Sequence, residues 1–190
     1  MRHVFIGIAA LAAAAASPAA AEVTASNEAG FVSHNEVEVP VGVAEAWAML
    51  FKPSAWWNGE HSYSGNSANM TLAPVAGGCF CETIPGANGG AAGEIEHMRV
   101  LYVDPRVHTL RLTGALGPLQ AEAVNGVLTM TVEPAGSGAK IKWDYVVGGY
   151  MRMPMAEMAP LVDQVVGEQL TRLAVALSSP RGRLAPAARF

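Results

Sequence analysis

Basic residues are scarce in this chain: 12 Lys and Arg stand against 16 Asp and Glu, a net charge of −4. Four of the twelve lie at the ends (Arg2, Arg181, Arg183 and Arg189), so the body is more acidic than the total. That excludes a nucleic-acid partner, whose phosphates demand a basic face. Long apolar runs are missing too. After the first residues nothing approaches the about 18 apolar residues that a membrane span needs. The glycine-rich stretches 86–93 and 114–117 carry no Walker or dinucleotide pattern and read as turns. There is no Ser-His-Asp order, no zinc-protease helix, no internal repeat and no domain linker. The sequence implies no cofactor.

Cysteine is limited to Cys79 and Cys81. Two residues apart on a strand, they point the same way with Cβ atoms about 6–7 Å apart. A disulfide needs about 3.5–4.5 Å, so they are not expected to join each other unless the strand is broken there. Two free thiols on a strand face are the simplest reading. An intermolecular bridge, or a metal site that adds His97, are the alternatives, although the spacing is no recognised zinc signature.

The first residues, MRHVFIGIAALAAAAASPAAA, run from a short basic start through an apolar stretch to small residues. Ala19-Ala20-Ala21 fits a cleavage site, so residues 1–21 are expected to be a secretory signal peptide. The mature protein is then periplasmic or secreted, and 11 basic against 16 acidic residues remain once Arg2 is gone. Residues 22–30 are small and polar and read as a flexible arm; residues 178–190, with Pro180, Gly182 and Pro186, read as a flexible tail.

Between them, alternation and helical spacing organise the chain. Residues 31–39 predict a strand, 42–51 a short amphipathic helix, and Ser54 caps a second helical turn carrying Trp56 and Trp57. Strands follow near 69–73 and over 78–84, 94–103, 107–112, 124–133 and 139–147. Ile141, Trp143, Tyr145 and Val147 share one face, as do Leu128, Met130 and Val132, Leu110 and Leu112, and Met98, Val100 and Tyr102. One dry and one wet face mark an antiparallel sheet covered on one side. The cover is the helix predicted over 157–177, whose stripe includes Met158, Leu161, Val162, Val165, Val166, Leu170, Leu173 and Leu177.

The hairpin formed by 78–84 and 94–103 carries the chemistry. Centred near Asn88-Gly89, it places Glu82 opposite Glu96, with both directed inward among Phe80, Ile84, Met98 and Val100, and with Glu94 nearer the turn. Two carboxylates on a dry surface should not both ionise, and such a pair can act as general acid and base. A structural or solvated pair is the plainer alternative. His97 falls on the wet face beside Cys81. A methionine-rich run from Met151 to Met158 leads into the long helix; methionines adapt to varied apolar shapes, and ordinary packing explains them equally well.

Strand, two short helices, a run of antiparallel strands and a long final helix: residues 31–177 in this order resemble the START-like (SRPBCC) superfamily. The motifs are VEVPVGVAEAWAMLFKPSAWW, GGCFCE, HMRVLYVDP, GALGPLQ and VDQVVGEQLTRLAVAL. Exported members described as polyketide-cyclase-like or as relatives of the Hsp90-ATPase activator look most similar. The resemblance implies an α+β helix-grip fold, in which a curved antiparallel sheet wraps around the C-terminal helix with two short helices after strand 1. It also implies a hydrophobic cavity between sheet and helix, closed at one end by the segment holding Trp56, Trp57, His61 and Tyr63. His61 alone reads as a loop histidine.

Two functions stay open. The first is binding of a small hydrophobic molecule, anchored by Glu82 and Glu96 and lined by Trp56, Trp57, Met98, Tyr102, Met130, Trp143, Tyr145, Val162 and Val165. The second is a cofactor-independent cyclase or dehydratase that uses the Glu82/Glu96 pair. Export disfavours an Hsp90-type partner role, and no metal is assigned.

Overall fold

The structure, a computed structural model, describes residues 20–179. Most of the expected signal peptide and nearly all of the expected tail lie outside the described residues. The strands are β1 (Ala20–Asn27), β2 (Gly30–Val39), β3 (Met70–Leu72), β4 (Cys79–Ile84), β5 (Gly93–Asp104), β6 (Thr109–Gly114), β7 (Ala123–Ala135) and β8 (Gly138–Tyr150). The helices are α1 (Val43–Leu50), α2 (Pro53–Trp56) and α3 (Met155–Ser178). All strands join one antiparallel sheet in the order β1-β2-β8-β7-β6-β5-β4-β3. This is the α+β helix-grip arrangement.

One correction comes at the start of the chain. The segment expected as a flexible arm is β1, paired with β2 from Ala20↔Glu36 to Asn27↔Gly30. Its composition is small and polar because one side is an open sheet edge, but its backbone hydrogen bonds are satisfied by β2.

Alternation sets the core. Leu110, Leu112, Leu128, Met130, Val132, Ile141, Trp143, Tyr145 and Val147 are all buried on the inner face. Polar pairs line the outer face, where the His34 ring hydrogen-bonds Asp144 and Lys140 bridges Glu36 and Glu38. Against the inner face lie α1, over β7 and β8, and α3, over β1 and β2. The buried side of α3 comprises Met155, Ala159, Val166, Leu170, Leu173, Ala174 and Leu177. Leu161 is exposed, and Val162 and Val165 are half-buried at the margin rather than central.

β2 breaks the apolar rule on its inner face. Ser33 and Asn35 point inward and are closed over by Asp163 of α3. The Ser33 hydroxyl donates to Asp163 Oδ1 (2.5 Å), and Asn35 Nδ2 donates to both (2.9 and 3.1 Å). Gly167 makes this possible, since a Cβ there would lie 2.7 Å from Asn35 Oδ1. Buried polar groups without partners are costly, so this network fixes the seat of α3 on β2.

Candidate functional site

The hairpin of β4 and β5 does not keep a single register. Near the turn Thr83 pairs with Glu94, Glu82 with Ile95 and Cys81 with Glu96; beyond it Phe80 pairs with Met98 and Cys79 with Arg99. His97 is the extra residue, so β5 carries a β-bulge there. A bulge reverses the alternation. Glu82 remains inward, 1 % exposed, but Glu96 turns out to solvent and forms an ion pair with Arg99. Glu94 is exposed as well. The expected Glu82/Glu96 acid pair is therefore not formed.

His97, expected on the wet face, takes the inward place and is 3 % exposed. Its Nε2 lies 3.0 Å from Glu82 Oε2. The same oxygen accepts from the Tyr63 N–H (3.0 Å), and Oε1 accepts from the Ser64 N–H (2.5 Å). Burial pushes the Glu82 carboxyl up, but hydrogen bonds from Ser64, Tyr63 and His97 outweigh it and hold the group below its ordinary 4.5. Burial also drives the His97 imidazole below its ordinary 6.5, and Glu82 offsets this only in part. The pair is therefore a carboxylate with a neutral imidazole. Because a carboxylate only accepts, the imidazole proton sits on Nε2.

Aromatic rings enclose the pair. Phe80, Tyr63 and Trp57 have centroids 5.2, 6.0 and 6.4 Å from the His97 ring. Trp56 and Trp57 are both buried, so neither is a surface residue at a pocket mouth. Trp56 Nε1 donates to Met49 O (2.9 Å) and Trp57 Nε1 to His61 O (3.0 Å), while Trp56 packs on Trp143. His61 is partly exposed beside Glu168 (3.0 Å). Tyr63 is 49 % exposed and donates its hydroxyl to Gly117 O (3.1 Å). The loop 57–69 is thus held by side-chain bonds to Glu82, to Gly117 and to α3.

The other expected lining residues divide. Met98, Met130, Trp143 and Tyr145 face inward, yet they pack into one continuous core with Phe80, Trp56 and Trp57. They do not border an open hollow as the resemblance implied. Burial pushes the Tyr145 phenol up to about 12. Tyr102 is on the outside, 40 % exposed, because a second bulge between Val100 and Tyr102 shifts the phase again. Its hydroxyl bonds Asp104 (3.2 Å).

Cys79 and Cys81 also need correction: they form a disulfide, with Cα atoms 5.3 Å apart. A regular strand separates such residues by about 6.7 Å. Closure occurs within an unbroken β4, beside the register shift that His97 introduces in β5, so the expectation that an intact strand keeps the two apart is overturned. Both thiols are consumed, and His97 lies on the opposite face, so the three do not make a metal site. Among the described residues no cluster of His, Cys, Asp and Glu fit to hold a metal ion is found, and no helix is long and apolar enough to cross a membrane.

One signal for the bulge was present in the sequence. Gly114 ends β6 with φ +147°, and a Cβ there would lie 2.8 Å from His97 O and 2.9 Å from Met98 Cα. A glycine inside a strand marks a bulge or a close backbone approach.

The sequence matches no family model and no curated protein. The backbone, however, is similar to several solved structures. Ara h 8.0201 aligns with a TM-score of 0.50 at 14% identity, over 79% of this chain and 99% of that one. An uncharacterized protein from Rhizobium leguminosarum gives 0.54 at 15% identity, over 84% and 97%. A protein from Mesorhizobium loti gives 0.52 at 17% identity, over 80% and 99%. At such identities the likeness is one of fold: the chain has the START-like helix-grip fold.

Proposed function

We propose that this is an exported protein that binds a small hydrophobic or amphipathic molecule under the loop 57–69, with the Glu82–His97 pair as polar anchor. One observation carries the reading: a buried carboxylate–imidazole pair ringed by Trp57, Tyr63 and Phe80, closed over by a loop rather than by a strand or helix. Polar groups set in an apolar, aromatic shell are what a small-molecule site requires. What supports the reading is that the loop covering this shell is itself tied to α3, through Asn58 and His61. Because the described interior is packed, the ligand enters by displacing the loop, whose bonds to Glu82 are the latch. The disulfide favours an oxidising compartment, in agreement with the signal-peptide reading. With Glu96 on the outside, the carboxylate-pair enzyme has lost its base, and binding is the reading retained.

The test is to extract the purified protein, identify what co-purifies by mass spectrometry, and titrate the stripped protein with a fluorescent naphthalene sulfonate probe. Saturable uptake of the probe by the wild-type protein is expected. If nothing co-purifies and the protein takes up no probe, the reading is wrong.

A further inference from the structure

Four of the nine methionines fall within eight residues, at 151, 153, 155 and 158. Core packing accounts for Met155, which is buried, and for part of Met158. Met151 is half-buried at the core's edge, and packing does not account for Met153, which is 41 % exposed. Met151, Met153 and Met155 all border one hollow of about 430 Å³, where the end of β8 turns into α3. The chain bends at Arg152 and Met153 and enters α3 at Met155, so the three methionines border the hollow from the end of β8, the connection and the first residue of the helix.

The residue between them is turned away. Arg152 is the cation of this run, and its guanidinium is held by Glu122 (Nη2–Oε1 2.7 Å, Nε–Oε1 3.0 Å) and by Ala121 O (3.2 Å). The charged residue that does border the hollow is Glu28, from the β1–β2 turn. Three neutral thioethers, one nearby carboxylate and no bordering cation form an environment for a positive ion. Thioether sulfur is a soft ligand, which selects Cu(I) over hard ions such as Mg²⁺ or Ca²⁺ that require oxygen cages.

We propose that Met151, Met153 and Met155 form a site for a soft monovalent cation, Cu(I) or its analogue Ag(I). The site is separate from the Glu82–His97 pair and needs no change of oxidation state to fill. Ag(I) is the probe, titrated into the full chain in chloride-free buffer with Cys79–Cys81 kept oxidised, and followed by calorimetry and by ¹³C-methyl methionine spectra. One Ag(I) per chain is expected, shifting the Met151, Met153 and Met155 methyl signals but not those of Met98 or Met130. The double variant M151L/M153L keeps its size and apolarity and should keep its melting temperature, but bind more than about tenfold more weakly. Binding should survive in C79S/C81S. Unshifted methyl signals at equimolar Ag(I), undiminished binding in M151L/M153L, or loss of binding in C79S/C81S would each overturn the assignment.

Discussion

At the scale of single residues, the chemistry rests on which of Glu96 and His97 faces inward. With His97 inside, Glu82 meets a donor instead of a second acid, and both groups are held below their ordinary pKa. The sign of the pH dependence follows. The unfolded chain takes up a proton on the histidine near pH 6.5 and on the carboxylate near 4.5, while the folded protein resists both. Stability from His97 is thus complete above 6.5 and lost as pH falls below it, and that from Glu82 is lost further down. Melting curves from pH 8 to 4 should show stability declining in two stages. His97→Gln retains a donor to Glu82 but does not titrate, so it should remove the first stage and leave the second. Identical profiles for the two proteins between pH 7 and 5 would show that His97 is not held neutral. Removing the carboxylate is harsher: Glu82→Ala strands three donors and should cost about 3 kcal/mol in urea unfolding.

At the scale of elements, the bulge in β5 decides the face each residue takes. Glu96 and Arg99 are three apart, and in a regular strand they would lie on opposite faces; their ion pair on one face is a consequence of the extra residue. Gly114 lets the bulged backbone approach, so Gly114→Ala should destabilise by about 2 kcal/mol and perturb the His97 ring signals. Gly93→Ala, whose added Cβ would meet only ordinary contacts with Ile84, is the control expected near wild type. The disulfide is a local brace. Its ring spans residues only two apart, and loop-closure stabilisation is least for the shortest loops. C79S/C81S should therefore lose under about 2 kcal/mol. Thiol labelling should find two reactive groups after reduction and none before; labelling of the unreduced protein would contradict the pairing.

At the scale of the whole molecule, the sheet and α3 form a packed body, and the loop 57–69 is a hydrogen-bonded cover upon it. Hydrogen exchange should separate the two. Tyr63 and Ser64 amides should be protected in the wild type and lose protection in Glu82→Gln, with amides of β7 and β8 unchanged. Uniform loss across β7 and β8 would mean that Glu82 supports the whole fold and not the cover. Much of this architecture was legible in the chain. The clean alternation of β7 and β8 and the stripe of α3 marked a sheet covered on one side by a helix, because burial of apolar side chains repeats with the local geometry of each element; the helix-grip fold itself came from the resemblance in the order of elements. The hairpin centre near Asn88-Gly89 was legible too, since turn residues act locally. The outward turn of Glu96 and Tyr102 and the inward turn of His97 were not, because each bulge inserts one residue and inverts the alternation across it, so that Met98 and Val100 between the two bulges keep the expected face while the residues beyond them do not; only the neighbouring β6 with Gly114 decides where that occurs. Nor does the pattern of β1 reveal that it pairs, or that of Ser33 and Asn35 that Asp163 awaits them, since an edge partner and a buried polar contact come from residues distant in the chain. Periodicity determined the layers of this protein. Contact between layers decided the site.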